Sequence, residues 1–156
     1  MRRRWWVCAL IITMSGMLIS AEPVPSTSLS PDLQQALESS KYVYIQTERK
    51  DGTLGSPAEI WFMFHDDAVW VVSPTTTHRV KRIEAGRTKA KIAIGKTDGP
   101  AFNATGSIVK DPAANEVLFE TFAKKYADGW SSFENTFRDG LANGSRALIK
   151  YEPTEM

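Results

Sequence analysis

Residues 42–72 read YVYIQTERKDGTLGSPAEIWFMFHDDAVWVV, and this stretch decides the fold class. Its first six residues have the aromatic and β-branched content of a strand. Asp51-Gly52 is a strong turn signal between two strands. Residues 58–65 predict a second strand, nearly all apolar from Ile60 to Phe64, and Asp66-Asp67 turns the chain into a third strand at 68–72.

The rest of the chain adds three strands and four helices to this pattern. Further strands are predicted at 89–94, where lysine alternates with apolar residues, at 103–109 and at 145–151. Ser30-Pro31 and Asp111-Pro112 are caps followed by proline, typical of helix starts. Helices are predicted at 32–39, at 78–85, after Asp111, and at 131–141 beyond an interruption at Gly129. Six strands at short intervals predict a mostly β protein, a small antiparallel barrel with flanking helices.

The N-terminus has the pattern of a secretory signal peptide. Three arginines precede an apolar stretch at 7–19, and Ser20-Ala21 supplies small residues before a polar segment. We expect residues 1–21 to be the signal, 22–30 a linker and 31–156 the folded domain, exported to the periplasm or secreted. The alternative is an uncleaved membrane anchor, although the apolar stretch is short for a span.

Composition excludes several classes of protein and site. The chain of 156 residues carries 19 basic and 18 acidic residues, a net charge of +1, which argues against a dedicated nucleic-acid binder. Without residues 1–21 the charge is 16 basic minus 18 acidic, or −2. The single cysteine, Cys8, leaves with the signal, and two histidines, His65 and His78, remain. Disulfides and thiolate sites are therefore excluded, and we expect no metal site.

A basic segment from Arg79 to Lys91 is the strongest candidate for chemistry. It holds six basic residues against one acid, Glu84, and follows the hydroxyl-rich loop 73–77. Thr77 is placed to cap helix 78–85, and free backbone N–H groups, hydroxyls and a guanidinium together suit a phosphate. The alternative is a solvated basic surface that only keeps the protein soluble.

The order of these motifs resembles the pyridoxamine 5'-phosphate oxidase-like proteins, the FMN-binding split-barrel superfamily. That family commonly shows T-x-R-x-D-G, then P-x-x-x-W-F, then T-x-x-x-S-x-K. Here the matching segments are Thr47 to Gly52, Pro57 to Phe62 and Ser73 to Arg79, and the likeness spans roughly residues 33–153. The resemblance implies a six-stranded Greek-key split barrel that forms a homodimer, with the cofactor at the subunit interface. The implied cofactor is FMN, with the 8-hydroxy-deazaflavin coenzyme or haem as alternatives.

The resemblance also implies roles for individual residues. Ser73 matches a hydroxyl position that contacts the flavin or its ribityl chain. Thr77 and Arg79 match the S and K of S-x-K, which hold the phosphate; arginine in place of lysine keeps the charge and adds bidentate capacity. The remaining implied cofactor contacts are Trp61 and Phe62 beside the ring, His78 next to Arg79, and Lys81, with Arg82 as an auxiliary contact.

No residue pair stands out as a catalytic acid and base, so we name no catalytic residue. A basic residue that full oxidases carry in the second strand is absent, and we do not expect pyridoxamine-phosphate oxidase activity. The sequence therefore predicts an exported flavin-binding oxidoreductase with a small-molecule substrate, since the cofactor itself carries the electrons. One alternative is a non-catalytic envelope protein that binds flavin, haem or another tetrapyrrole. Another is a cofactor-free structural barrel.

Overall fold

The computed structural model describes residues 27–154, which form seven strands and four helices. The helices are α1 (Pro31–Ser39), α2 (His78–Glu84), α3 (Pro112–Lys125) and α4 (Ala127–Asn143). The strands are β1 (Val43–Thr47), β2 (Ala58–Ile60), β3 (Met63–His65), β4 (Ala68–Pro74), β5 (Lys89–Ile94), β6 (Ala101–Val109) and β7 (Arg146–Pro153). The predicted signal peptide and most of the predicted linker lie outside the described residues. No helix in the described range is long and apolar enough to cross a membrane.

All strand pairs are antiparallel and form one sheet in the order β2-β1-β5-β6-β7-β4-β3. The two edge strands, β2 and β3, are joined by only Trp61 and Phe62. A connection from Ile60 to Met63 spans at most about 11 Å, so the two edges of the sheet must come together. The sheet is therefore curled into a barrel that is split between β2 and β3.

The predicted mostly β class is confirmed, but the prediction of six strands is wrong. The predicted strand 58–65 divides into β2, which pairs with β1, and β3, which pairs with β4. The break between β2 and β3 could not be seen in the apolar run, because Trp61 and Phe62 both pack against hydrophobic cores, but against two different ones. Phe62 is fully buried inside the barrel, whereas Trp61 joins the helices outside it.

Two hydrophobic cores lie on the two faces of the sheet. The inner core fills the barrel with side chains such as Val43, Val71 and Ile149. The outer core packs α3 and α4 against the opposite face of β4 and β7. Alternation along β4 sends Val71 and Ser73 inward and Trp70 and Val72 outward, as the two-residue period of a strand requires.

The helix predictions are confirmed in position, with one correction. Ser30 and Asp111 accept backbone N–H groups at the starts of α1 and α3. The break between α3 and α4, predicted at Gly129, lies at Tyr126, whose φ of −121° and ψ of 37° leave the helical region. Gly129 lies within α4, where a Cβ atom would make an ordinary contact with the Trp61 ring at 3.5 Å, so glycine does not interrupt the helix there.

Candidate functional site

The structure brings Ser73 and Arg79 together at the end of β4. Arg79 Nη1 donates to Ser73 Oγ at 2.9 Å, and Ser73 is only 2% exposed. Because Ser73 Oγ accepts this bond, its own hydrogen is available to a further acceptor. Ser73 faces the barrel interior, so the arginine reaches from α2 into the end of the barrel.

Arg79 is a part-buried cation whose charge has no partner among the described residues. No carboxylate of residues 27–154 lies within 4.0 Å of its guanidinium, and its buried Nε has no hydrogen-bond partner there. Burial lowers the pKa of Arg79 from its ordinary value. A buried donor without a hydrogen-bond partner costs free energy. The Nε of Arg79 is therefore a candidate donor to an anionic ligand.

Tyr151 adds a polar group that sequence reasoning missed. Its side chain is fully buried in the inner core, and within the described part of the chain its hydroxyl has no partner. Burial raises the pKa of Tyr151 to about 12, and the nearby Arg79 charge partly opposes this rise. In the sequence, a tyrosine in the last strand looks like any other core residue. No motif therefore indicates that its hydroxyl lacks a partner.

The other predicted phosphate contacts are arranged differently from the expectation. Thr77 precedes α2 as predicted, but its hydroxyl donates to the Pro74 carbonyl at 2.8 Å and makes no capping bond. His78 and Lys81 are exposed on α2. Of the three basic residues His78, Arg79 and Lys81, it is Arg79 whose side chain bonds to the inward-facing Ser73.

Arg82, which the sequence predicts as an auxiliary cofactor contact, instead bonds to the protein itself. Its Nη1 donates to the Thr47 carbonyl at 3.0 Å and to Thr47 Oγ1 at 2.7 Å. The same nitrogen lies 2.7 Å from where a Cβ atom of Gly55 would be, so a side chain at position 55 would displace the guanidinium. Arg82 thus joins α2 to β1 and to the loop that follows it.

Trp61 and Phe62 are not brought together with Arg79. The Trp61 indole stacks on Tyr126 with ring centres 4.3 Å apart and planes 4° apart. Phe62 is covered by the Lys125 ammonium, which lies 3.3 Å from its ring centre. Trp61 belongs to the outer core together with Val72, whereas Ser73 faces inward from the next position of β4. Trp61 therefore lies on the face of the sheet opposite Ser73 and Arg79, whereas Phe62 lies in the inner core.

Two cavities lie on the outer, helical side. The larger, about 830 Å³, lies between the ends of β6 and β7 and the helices α3 and α4. It is lined by Asn115, whose buried Oδ1 has no partner among residues 27–154. The smaller, about 330 Å³, is lined by Trp61 and other aromatic side chains. Neither cavity is lined by the predicted cofactor contacts near α2, which are Ser73, Thr77, His78, Arg79 and Lys81.

The donors near Arg79 fit the anionic end of a nucleotide cofactor. A guanidinium without a carboxylate partner, a free serine hydrogen and a buried tyrosine hydroxyl are the groups that hydrogen-bond a phosphate. For a metal the finding is different: within residues 27–154 no group of three or more histidine, cysteine, aspartate or glutamate side chains could hold an ion. His65 is exposed, and its Nε2 lies 3.3 Å from Oδ2 of the neighbouring Asp66.

Comparison with known proteins bears on the fold. No protein-family model and no curated protein matches the sequence. Among solved structures, HutZ, the heme storage protein of Vibrio cholerae, aligns with a TM-score of 0.59 at 13% identity, over 83% of this chain and 93% of that one. A protein of the pyridoxinephosphate oxidase family from Clostridium acetobutylicum aligns with a TM-score of 0.56 at 19% identity, over 78% and 81%.

The chain has the split-barrel fold of the pyridoxamine 5'-phosphate oxidase-like proteins. An F420 reductase shares this fold at 18% identity, with a TM-score of 0.50 over 78% of this chain and 93% of that one. The resemblance read from the sequence motifs is confirmed at the level of fold. Split-barrel neighbours thus include a heme storage protein and an F420 reductase, so the fold itself is compatible with several cofactors.

Proposed function

We propose that the protein is an exported flavin-binding oxidoreductase whose FMN phosphate is held by Arg79 and Ser73. The observation that carries the proposal is the part-buried Arg79 guanidinium, whose buried Nε has no hydrogen-bond partner and which has no carboxylate partner among the described residues. A phosphate would supply the missing charge and accept a hydrogen bond from Nε. Thr77 and His78, at the adjacent start of α2, are the proposed outer contacts.

The protein's own residues bind and orient the cofactor in this proposal. FMN supplies the redox chemistry at its ring, so no acid–base residue of the chain is required. Because Trp61 and Arg79 lie on opposite faces of the sheet, one chain does not enclose a flavin between them. This separation supports a homodimer in which a second copy completes the site. The 8-hydroxy-deazaflavin coenzyme, which also carries phosphate, remains the alternative redox cofactor, and export rests on the N-terminal sequence pattern.

A non-catalytic binding protein for haem or another tetrapyrrole is the second candidate. The larger cavity supports it by its volume of about 830 Å³, which suits a flat ligand, and its lining combines apolar groups with three basic and three acidic side chains. HutZ, a neighbour in fold, is a heme storage protein. Binding without turnover by an added electron donor would support this candidate over the enzyme.

Titration with FMN and with riboflavin, which lacks the phosphate, tests the flavin proposal. We expect FMN to bind more tightly than riboflavin, and Arg79→Ala to weaken FMN binding by about 1.5–3 kcal/mol while leaving riboflavin binding nearly unchanged. Arg79→Lys should retain part of the preference, and Lys124→Ala, at an exposed position of α3, should retain all of it. Equal affinities for FMN and riboflavin in the unmodified protein would contradict the proposal.

A further inference from the structure

The smaller cavity on the outer face has aromatic walls and a charged end. It occupies about 330 Å³ between α4, the link from β2 to β3, and the start of β1. Phe133 is 47% exposed, which is unusual for a large apolar side chain within a folded domain. The side chains that define the cavity are Tyr42, Glu59, Trp61, Phe133, Phe137 and Arg146.

Arg146 supplies the positive charge of this cavity. It is the first residue of β7, and its side chain points outward, on the face opposite Ser73 and Arg79. Its guanidinium carbon lies 4.8 Å from the centre of the Phe137 ring. In the described part of the chain no carboxylate lies within 4.0 Å of Arg146, and its side chain makes no hydrogen bond there. The charge is therefore available to a ligand.

Helix α4 is shaped to let Arg146 reach this position. Gly140, a buried residue in the helix interior, has no side chain, and a Cβ atom there would lie 2.6 Å from Arg146 Cδ and 2.8 Å from Cγ. Glycine is less favourable than alanine inside a helix, so the space that Gly140 leaves for Arg146 lowers the stability of α4. The side chain of Arg146 passes over Gly140 and ends beside Phe137, which fixes the guanidinium at the cavity wall.

We propose that this cavity binds a planar aromatic ligand that carries one carboxylate. The ring would pack among Trp61, Phe133 and Phe137, and the carboxylate would accept paired hydrogen bonds from Arg146. A volume of about 330 Å³ lies at the small end of the range for ligand sites, which suits one or two fused rings. Glu59 also lines the cavity, is exposed and accepts a hydrogen bond from the Tyr44 hydroxyl, and its negative charge disfavours a second carboxylate on the ligand.

This proposal does not require a flavin. Of the proposed flavin contacts only Trp61 touches the cavity, and the ligand class follows from Arg146 and the aromatic walls. The binding of an aromatic acid and the binding of FMN can therefore succeed or fail separately.

Three probes with one ring system and different charge test the proposal by calorimetry on the full folded chain. Naphthoate is the anion, naphthalenemethanol the neutral analogue and naphthylmethylamine the cation. We expect naphthoate to bind about tenfold more tightly than the alcohol, as one charged hydrogen-bonded contact provides, and the amine to bind no better than the alcohol. Arg146→Gln should remove the preference for naphthoate. Lys150→Gln, on the same strand outside the cavity, should preserve it.

Phe133→Ala provides a second variant in case Arg146→Gln alters folding, since Phe133 is largely exposed. It should weaken both naphthoate and the alcohol because it removes part of the wall. Equal binding of the three probes, or naphthoate affinity unchanged in both variants, would overturn the proposal. Competition between FMN and naphthoate for one site would also overturn it, because the cavity would then belong to the flavin site.

Discussion

The hydroxyl of Tyr126 accepts the backbone N–H of Phe62 at 2.9 Å and also lies 2.9 Å from the Lys41 carbonyl oxygen, to which it donates. Phe62 is the point where the barrel passes from edge strand β2 to edge strand β3. Tyr126 is the residue that separates α3 from α4. One side chain therefore joins the split of the barrel to the helical layer, and its ring also carries the stacked indole of Trp61.

Removing the Tyr126 hydroxyl should destabilise the fold. Tyr126→Phe leaves the Phe62 N–H buried without a partner, and we expect the free energy of unfolding to fall by about 1–3 kcal/mol. Tyr44→Phe is the matched control, because the Tyr44 hydroxyl contacts Glu59 at the exposed surface. Urea unfolding measures both variants. Equal losses in the two would contradict the role of Tyr126.

Lys125 should make stability depend on alkaline pH. Burial lowers the pKa of Lys125 to about 8 from an ordinary value of 10.5, so the unfolded chain binds more protons between these values. Stability must then rise with pH over this window. We expect wild type to gain stability relative to Lys125→Met between pH 8 and pH 10. The difference between wild type and Lys124→Met, at the exposed neighbouring position, should stay constant.

Gly140 and Arg146 should show strong coupling in a double-mutant cycle. Gly140→Ala alone should destabilise the protein, because the new Cβ atom meets the Arg146 stem. In an Arg146→Ala background the contacts with Cγ and Cδ are absent and only the Cβ atom, 3.2 Å away, remains. Gly140→Ala should then cost much less, because the helix propensity of alanine, up to about 1 kcal/mol, offsets the remaining contact. Thermal or urea unfolding of the four proteins gives the coupling energy. An equal loss of stability from Gly140→Ala in both backgrounds would show that the Arg146 side chain does not pass over Gly140.

Substitutions of Arg82 and Arg79 should have different effects on stability and on FMN affinity, although both residues lie on α2. Arg82→Met removes two hydrogen bonds to Thr47, so we expect a stability loss of about 1–3 kcal/mol with little change in the affinity for FMN. Arg79→Ala should mainly lower that affinity. Unfolding and FMN titration on both variants separate the two roles, and a large loss of FMN affinity in Arg82→Met would assign it to the phosphate site.

Local sequence signals predicted most of the elements of this fold. Proline-containing caps at Ser30 and Asp111 predicted α1 and α3, and β-branched runs predicted the strands. The break at Trp61 and Phe62 could not be predicted, because an apolar run buried in two different cores looks the same as one buried strand. The split was predictable only through the family resemblance.

The candidate site was predicted less completely than the fold. The pair Ser73 and Arg79 was found because family motifs mark both positions. Tyr151, Gly140 and Arg146 were missed, since their importance comes from contacts between residues distant in sequence. An unsatisfied hydroxyl or a glycine that makes room for an arginine leaves no local pattern in the sequence.

The absorption spectrum of the protein purified from a host that expresses it with its N-terminal segment tests the central claim most directly. We expect bands at about 370 and 450 nm, as flavins show, with loss of the bound flavin in Arg79→Ala but not in Lys124→Ala. A single band at about 420 nm would indicate a deazaflavin or haem instead. A colourless protein that also fails to bind added FMN would contradict the claim that it is a flavin-dependent oxidoreductase.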